Sequence, residues 1–304
     1  LLFTGRFQAF RSKENFMKIA ISSYSFAMAV YRGEMTNDDI IPKASELGFD
    51  GIEFAGISTP TGMAAADYAK QLSERAAESG IEIVCYSTSA DFVKNPVEDE
   101  VKRLKEHVDI AAALGAGLMR HDVYYGQAAD KYGEKSFPSV LPRLVCGAKS
   151  VTEYAEGLGI KTTVENHGFY CQDSERVEAL VDRVGHKNYG ALIDLGNFLC
   201  VDEDPAKAVG RLKDYAFYVH VKDFFFRDGS MPAPCSEGWI CTRGGNYIKG
   251  AAIGDGIVPI EKCLKILKKS GYDGWLTIEY EGREDVFSSI KAGKKHLEEL
   301  LGRI

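Results

Sequence analysis

The sequence has no apolar run approaching the ~20 residues needed to cross a bilayer, no CxxC pair and no CxxC…HxxxH arrangement. The first absence argues against a membrane-spanning helix. The other two exclude the usual zinc-finger and thioredoxin-like signatures. An excess of cations is missing too: 37 Lys and Arg against 44 Asp and Glu leave a net charge of −7. Non-specific binding to nucleic acid depends on basic side chains displacing counterions, so no nucleic-acid partner is expected. The seven cysteines are scattered singly, an odd number in a chain of 304 residues that is long enough to bury a core without disulfide staples. They read as reduced thiols in a cytoplasmic protein. Residues 1–16 carry Arg6, Arg11 and Lys13 but no continuous apolar stretch, so they do not read as a secretory signal. Met17 directly precedes the first strand-like run. We expect an N-terminal extension or tag-like arm over 1–16, then one domain over 17–304.

What is present is a repeating unit: a short β-rich run, a polar loop, a helical stretch. Eight strands are expected at Ile19–Ser23, Gly51–Phe54, Ile81–Tyr86, Leu118–Asp122, Lys161–Asn166, Ala191–Asp194, Ala216–Val221 and Trp275–Tyr280. Helical patterns lie at 36–47, 63–79, 97–114, 139–158, 173–184, 205–213, 259–270 and 286–301. Several end in a glycine just before the next strand (Gly48, Gly80, Gly159, Gly271), which suits a left-handed cap. Regular alternation implies a parallel sheet, and eight units in this length imply an α/β fold closed as a single-domain (β/α)8 TIM barrel. An open doubly wound sheet would carry a glycine-rich turn after its first strand. Here that turn is Ser22-Ser-Tyr-Ser-Phe26.

In such a barrel the active site lies at the C-terminal ends of the strands. The last four strands end in Glu165-Asn-His167, Asp194-Leu-Gly-Asn197, His220-Val-Lys-Asp223 and Glu279-Tyr-Glu281. Side chains alternate across a strand, so Glu165 shares a face with His167, His220 with Lys222, and Glu279 with Glu281. Converging carboxylates repel one another, and burying each alone is costly. A divalent cation resolves both problems. One imidazole with three carboxylates, Glu165, Asp194, His220 and Glu279, is a mostly oxygen site suited to one Mn²⁺, Mg²⁺, Co²⁺ or Zn²⁺ ion.

These motifs, with Gly48-Phe-Asp-Gly-Ile-Glu53, Gly254-Asp-Gly256 and Gly271-Tyr-Asp-Gly274, resemble the sugar phosphate isomerase/epimerase superfamily. Its members are xylose isomerase-like barrels and include ketose 3-epimerases, inosose dehydratases and endonuclease IV. The resemblance runs from Lys18 to about Leu301. It implies that Glu165, Asp194, His220 and Glu279 hold the metal and that Glu165 and Glu279 also move the substrate proton. The epimerases typically carry a substrate-contacting histidine three residues beyond the aspartate, where this chain has Asn197. Their arginine beyond the histidine ligand is matched loosely by Arg227.

Further substrate contacts are expected from Glu53, His121, His167, Asn197, Lys222 and Arg227. Lys222 is placed to neutralise developing oxyanion charge. The stretch Lys222–Gly256 reads as a long loop over the active face, with Arg243 and Lys249 as candidate phosphate ligands and Phe224–Phe226 as packing or a subunit contact. The function expected is a metal-dependent isomerase or epimerase of a small carbohydrate (sugar, sugar phosphate or polyol ketone) acting through an enediolate. The alternative is an inosose-type dehydratase. An abasic-site endonuclease is disfavoured, because the third strand ends Cys85-Tyr-Ser-Thr-Ser89 without a histidine, and so is a non-catalytic sugar binder. No membrane partner is expected, and a homo-oligomer is left open.

Overall fold

The computed structural model of the protein describes residues 17–126 and 136–304; the expected arm at 1–16 lies outside the described residues. Eight parallel strands close into a barrel. They are β1 (Lys18–Ser22), β2 (Gly51–Ala55), β3 (Glu82–Thr88), β4 (Leu118–His121), β5 (Lys161–Glu165), β6 (Tyr189–Asp194), β7 (Ala216–Val221) and a last strand at Trp275–Ile278. Between β7 and that last strand come three short strands, β8 (Asp223–Arg227), β9 (Trp239–Cys241) and β10 (Tyr247–Ala251), so the closing strand is β11. The helices are α1 (Ala27–Tyr31), α2 (Ile40–Glu46), α3 (Ala65–Glu78), α4 (Val97–Leu114), α5 (Phe137–Glu156), α6 (Ser174–Val184), α7 (Pro205–Leu212), α8 (Ile260–Lys269) and α9 (Val286–Leu301).

Local chemistry sets these boundaries. α4 opens with Glu98, Asp99 and Glu100, whose charges favour a helix N-terminus, and stops at Gly115 with φ +75°. α7 and α9 are capped by Asp204 and Asp285, which accept backbone N–H bonds from Lys207 and Ser288. The four glycines expected as caps, Gly48, Gly80, Gly159 and Gly271, all have positive φ. Most of the buried apolar side chains fill the layer between barrel and helices. A smaller set including Ala20, Cys85, Leu118, Leu192 and Tyr218 forms a separate cluster inside the strands.

Three expectations need correcting. The helix expected at 36–47 is a 3₁₀ turn, Asn37–Asp39, followed by α2, because Thr36 and Asp39 form a reciprocal cap that ends in a tight turn. The short α1 was not expected from the sequence. The stretch Lys222–Gly256 is not one loop, since it folds into an antiparallel sheet in the order β8-β10-β9. The Arg243-Gly-Gly-Asn246 segment supplies the hairpin turn of this sheet. Two carboxylates tie the sheet down. Asp223 accepts the backbone N–H groups of Phe224, Gly254, Gly256 and Val258 at 2.9–3.0 Å. Asp202 accepts from Thr242 Oγ1 at 2.8 Å and Asn246 Nδ2 at 2.7 Å. Phe224 packs inward with Cys200 and Ile248, whereas Phe226 is exposed.

Candidate metal centre

Parity along the strands decides what faces the barrel mouth. On β5, Thr162 bonds outward to Thr152 of α5 at 2.7 Å, which sends Glu165 inward. On β7, Tyr218 joins the inner cluster and His220 follows it on the same face. Glu279 lies just past β11, with its N–H still bonded to the Val221 carbonyl at 3.1 Å. Glu165, Asp194, His220 and Glu279 thus each bring a ligand atom to one place, all within 4.8 Å of one another. Asp194 is fully buried and His220 is 1% exposed.

The chemistry of these atoms fits a cation. His220 Nε2 is bonded to Glu53 Oε2 at 2.5 Å, so the proton belongs on that nitrogen and Nδ1 is left as an acceptor. That Nδ1 is buried with no hydrogen bond, 3.6–3.9 Å from Glu279, Asp194 and Glu165 oxygens. Asp194 Oδ2 makes no hydrogen bond and has the Lys222 ammonium beside it as an ion pair at 3.2 Å, while its Oδ1 accepts the N–H groups of Gly196 and Asn197 at 2.8 Å each. A carboxylate steering the far nitrogen of a ligating histidine is the usual support of a metal site.

Cations balance the acids in part. Lys222 Nζ is buried 2.6 Å from Glu279, 3.2 Å from Asp194 and 3.0 Å from Glu281. Arg120 Nη2 lies 2.7 Å from Glu165 and 2.9 Å from Asp122. Burial raises the Asp194 carboxyl, and the neighbouring Glu165 and Glu279 charges add to this against Lys222, leaving it at about 6. Burial acts in the same direction on Glu279, but the Lys222 ammonium outweighs it and holds that carboxyl well below the usual range.

The structure places the remaining expected contacts unevenly. Asn197 bridges the site: its Nδ2 donates to Glu165 at 2.9 Å and its Oδ1 accepts from Lys222 at 3.2 Å. His167 is partly exposed, with Nδ1 on Asp122 at 2.9 Å. Glu53 supports His220 and accepts from Ser87 Oγ at 2.7 Å. His121 faces away from the mouth. It is fully buried against Phe92 and Tyr189 with Nδ1 donating to the Asp122 carbonyl at 2.7 Å. Arg227 ends β8 opposite Tyr247 of β10, within the small sheet. Both phosphate candidates are tied up: Arg243 by Asp173 at 2.5 Å and the Phe169 carbonyl, Lys249 by Glu284 at 2.8 Å. Arg120 is the residue the sequence reading passed over. With Leu118 in the inner cluster, parity puts Arg120, and not His121, at the mouth.

A model of the family "Xylose isomerase-like TIM barrel" matches residues 41–300. The chain belongs to this family. Among its relatives are an inosose dehydratase of Clostridium perfringens, 24% identical over 82% of this chain and 83% of that one, and the L-ribulose-5-phosphate 3-epimerase UlaE of Salmonella paratyphi A, 24% identical over 78% and 79%. Two solved structures share the fold. One is a xylose isomerase-like TIM barrel protein from Mycobacterium smegmatis in complex with magnesium, with a TM-score of 0.69 at 16% identity over 94% of this chain and 96% of that one. The other is the IolI protein with a bound zinc atom, with a TM-score of 0.71 at 16% identity over 94% and 99%. No helix among the described residues is long and apolar enough to cross a membrane.

Proposed function

We propose that this chain is a divalent-metal-dependent isomerase or epimerase of a small sugar or polyol ketone, acting through an enediolate. The observation that carries the reading is the unpartnered Nδ1 of His220, aimed at the oxygens of Glu165, Asp194 and Glu279. Relatives with magnesium and zinc support a metal here, and the epimerase relative supports the reaction class. Glu165, Asp194, His220 and Glu279 would hold a divalent ion, which would supply Lewis acidity to a substrate carbonyl and so acidify the adjacent C–H bond.

The chain's own groups do the rest. Glu165 and Glu279 reach the centre from β5 and β11, which are separated in the ring by β6 and β7. One carboxylate removes the proton from the substrate carbon, leaving an enediolate, and the other returns a proton to the neighbouring carbon or the opposite face. Arg120 and Asn197 fix the carboxylate of Glu165. Lys222 presents its ammonium where negative charge grows on the substrate oxygen. His167, anchored by Asp122, stands at the mouth as a hydroxyl contact.

A second reading is favoured by the inosose dehydratase relative: the same enediolate expels a β-hydroxyl as water. The experiment is NMR of ketose and inosose panels in deuterated solvent, with metal occupancy measured. Glu165→Gln and Glu279→Gln are each expected to lose at least the ~10²-fold due to a general base. Normal exchange by both variants at full occupancy would remove the proton-transfer mechanism. An unsaturated product from an inosose would select the lyase.

A further inference from the structure

The loop from β5 to α6 carries His167, and its backbone is held in an unusual shape. Gly168 and Phe169 follow one another with φ of +79° and +68°. Glycine enters the left-handed region freely. A phenylalanine there is strained and persists only where its surroundings impose it.

Three restraints meet at this residue. Gln172 Oε1 accepts the Phe169 N–H at 2.6 Å, and the same amide donates to the Asn197 carbonyl at 2.7 Å. The Phe169 ring packs on the cluster of Cys200, Phe224 and Ile248. The third restraint is Arg243, from the turn between β9 and β10. Its Nη1 lies 2.5 Å from Asp173 Oδ1, and its Nη2 donates to the Phe169 carbonyl. The turn that presents this guanidinium is itself fixed: the Arg243 N–H is bonded to the Cys200 carbonyl at 2.9 Å. A guanidinium is a rigid fork, so it holds both acceptors at once.

The far end of the loop segment leads to the metal centre. His167 Nδ1 is bonded to Asp122 at 2.9 Å, Asp122 pairs with Arg120 at 2.9 Å, and Arg120 holds Glu165 at 2.7 Å. The imidazole is therefore fixed on its ring side by Asp122, and its backbone is fixed through Phe169.

We infer that Arg243 is a positioning residue: its fork on Phe169 and Asp173 holds the β5–α6 loop in the strained form that sets His167 at the mouth. This rests on the reading of His167 as a contact for a substrate hydroxyl. It gives the small β8-β10-β9 sheet a task in sugar binding, performed without touching the sugar.

The test has an arm that needs no substrate. Amide exchange at 167–173, read by mass spectrometry on the Mn²⁺-loaded protein, should be about tenfold or more faster in Arg243→Ala. Arg243→Lys, which keeps the charge but not the fork, should recover part of the protection. Mn²⁺ affinity, measured by calorimetry, should stay at the parent value in both. With a keto-sugar that the parent turns over, Arg243→Ala should raise KM about tenfold, the worth of one hydrogen bond, and leave kcat within about threefold. His167→Ala should do the same, and the double variant should be no worse than either alone, because both remove one contact. Unchanged exchange in Arg243→Ala, a fall in its Mn²⁺ affinity, or additive effects on KM would each overturn the proposal. Absence of turnover by the parent would sink the enediolate reading instead, and exchange would still decide whether Arg243 holds the loop.

Discussion

At the scale of single residues, the site depends on where the proton of His220 sits. Glu53, on a different strand, takes the Nε2–H at 2.5 Å and so points Nδ1 into the carboxylate cluster. The sequence reading made Glu53 a substrate contact, since nothing in a one-dimensional string tells that β2 leans its carboxylate onto β7. The two roles separate experimentally. Glu53→Ala should weaken binding of Mn²⁺ to the sugar-free protein by ~10–100-fold, as loss of a histidine's supporting carboxylate does. Glu53→Gln should recover part of this, because an amide oxygen can still accept the Nε2–H. Calorimetry with metal alone reads the effect. If Mn²⁺ affinity is unchanged and only sugar affinity falls, Glu53 is a substrate ligand as first read. The same lesson applies to Arg120 and His121. Both are polar and adjacent, and a chemist's eye goes to the histidine. Leu118 inside the barrel settles the parity in favour of Arg120.

At the scale of elements, the repeated units were legible because the strands are short apolar runs and several follow a helix that ends in a glycine with positive φ. The ligand set was legible for the same reason: a polar residue ending an apolar strand has few other places to go. The β8-β10-β9 sheet was not legible. β8 follows β7 with only Lys222 between them, so Ala216–Arg227 reads as one strand and a loop. What anchors the sheet is long-range: Asp223 reaches Gly254, Gly256 and Val258, over 30 residues away. The sheet starts one residue after β7, the strand that carries His220, so its anchoring bears on the site. Asp223→Ala strands the buried N–H groups of Phe224 and Val258, each worth ~1–3 kcal/mol when left unpaired. We expect that loss in urea unfolding, together with faster amide exchange confined to 253–258. A variant with parent stability and unchanged exchange would mean that the loop is held by its packing alone.

At the scale of the whole molecule, stability should depend on pH in a way that one buried histidine makes measurable. His121 is packed between Phe92 and Tyr189, and burial drives its pKa down to about 4. In the unfolded chain the ring titrates near the ordinary ~6.5. Below that value the unfolded state takes up a proton that the folded state refuses, so falling pH favours unfolding. The contribution is full above pH ~6.5, declines as the pH drops, and is exhausted near pH 4, with a total on the order of 3 kcal/mol. Asp194 works in the opposite sense, because its raised pKa lets the folded state bind a proton first as the pH falls. A single stability curve therefore mixes the two. Subtracting the curve of His121→Phe isolates the histidine, since Asp194 and every other group are common to both proteins. Phenylalanine keeps the ring contacts and cannot titrate. Its absolute stability can differ from the parent for reasons of fit or the lost bond to the Asp122 carbonyl. The slope between pH 6.5 and 4 is the quantity that matters, measured by urea unfolding in EDTA so that metal binding plays no part. The parent should lose more stability than the variant across that window. Parallel curves would show that His121 protonates within the fold, and that the outer face of β4 is wetter than its packing indicates.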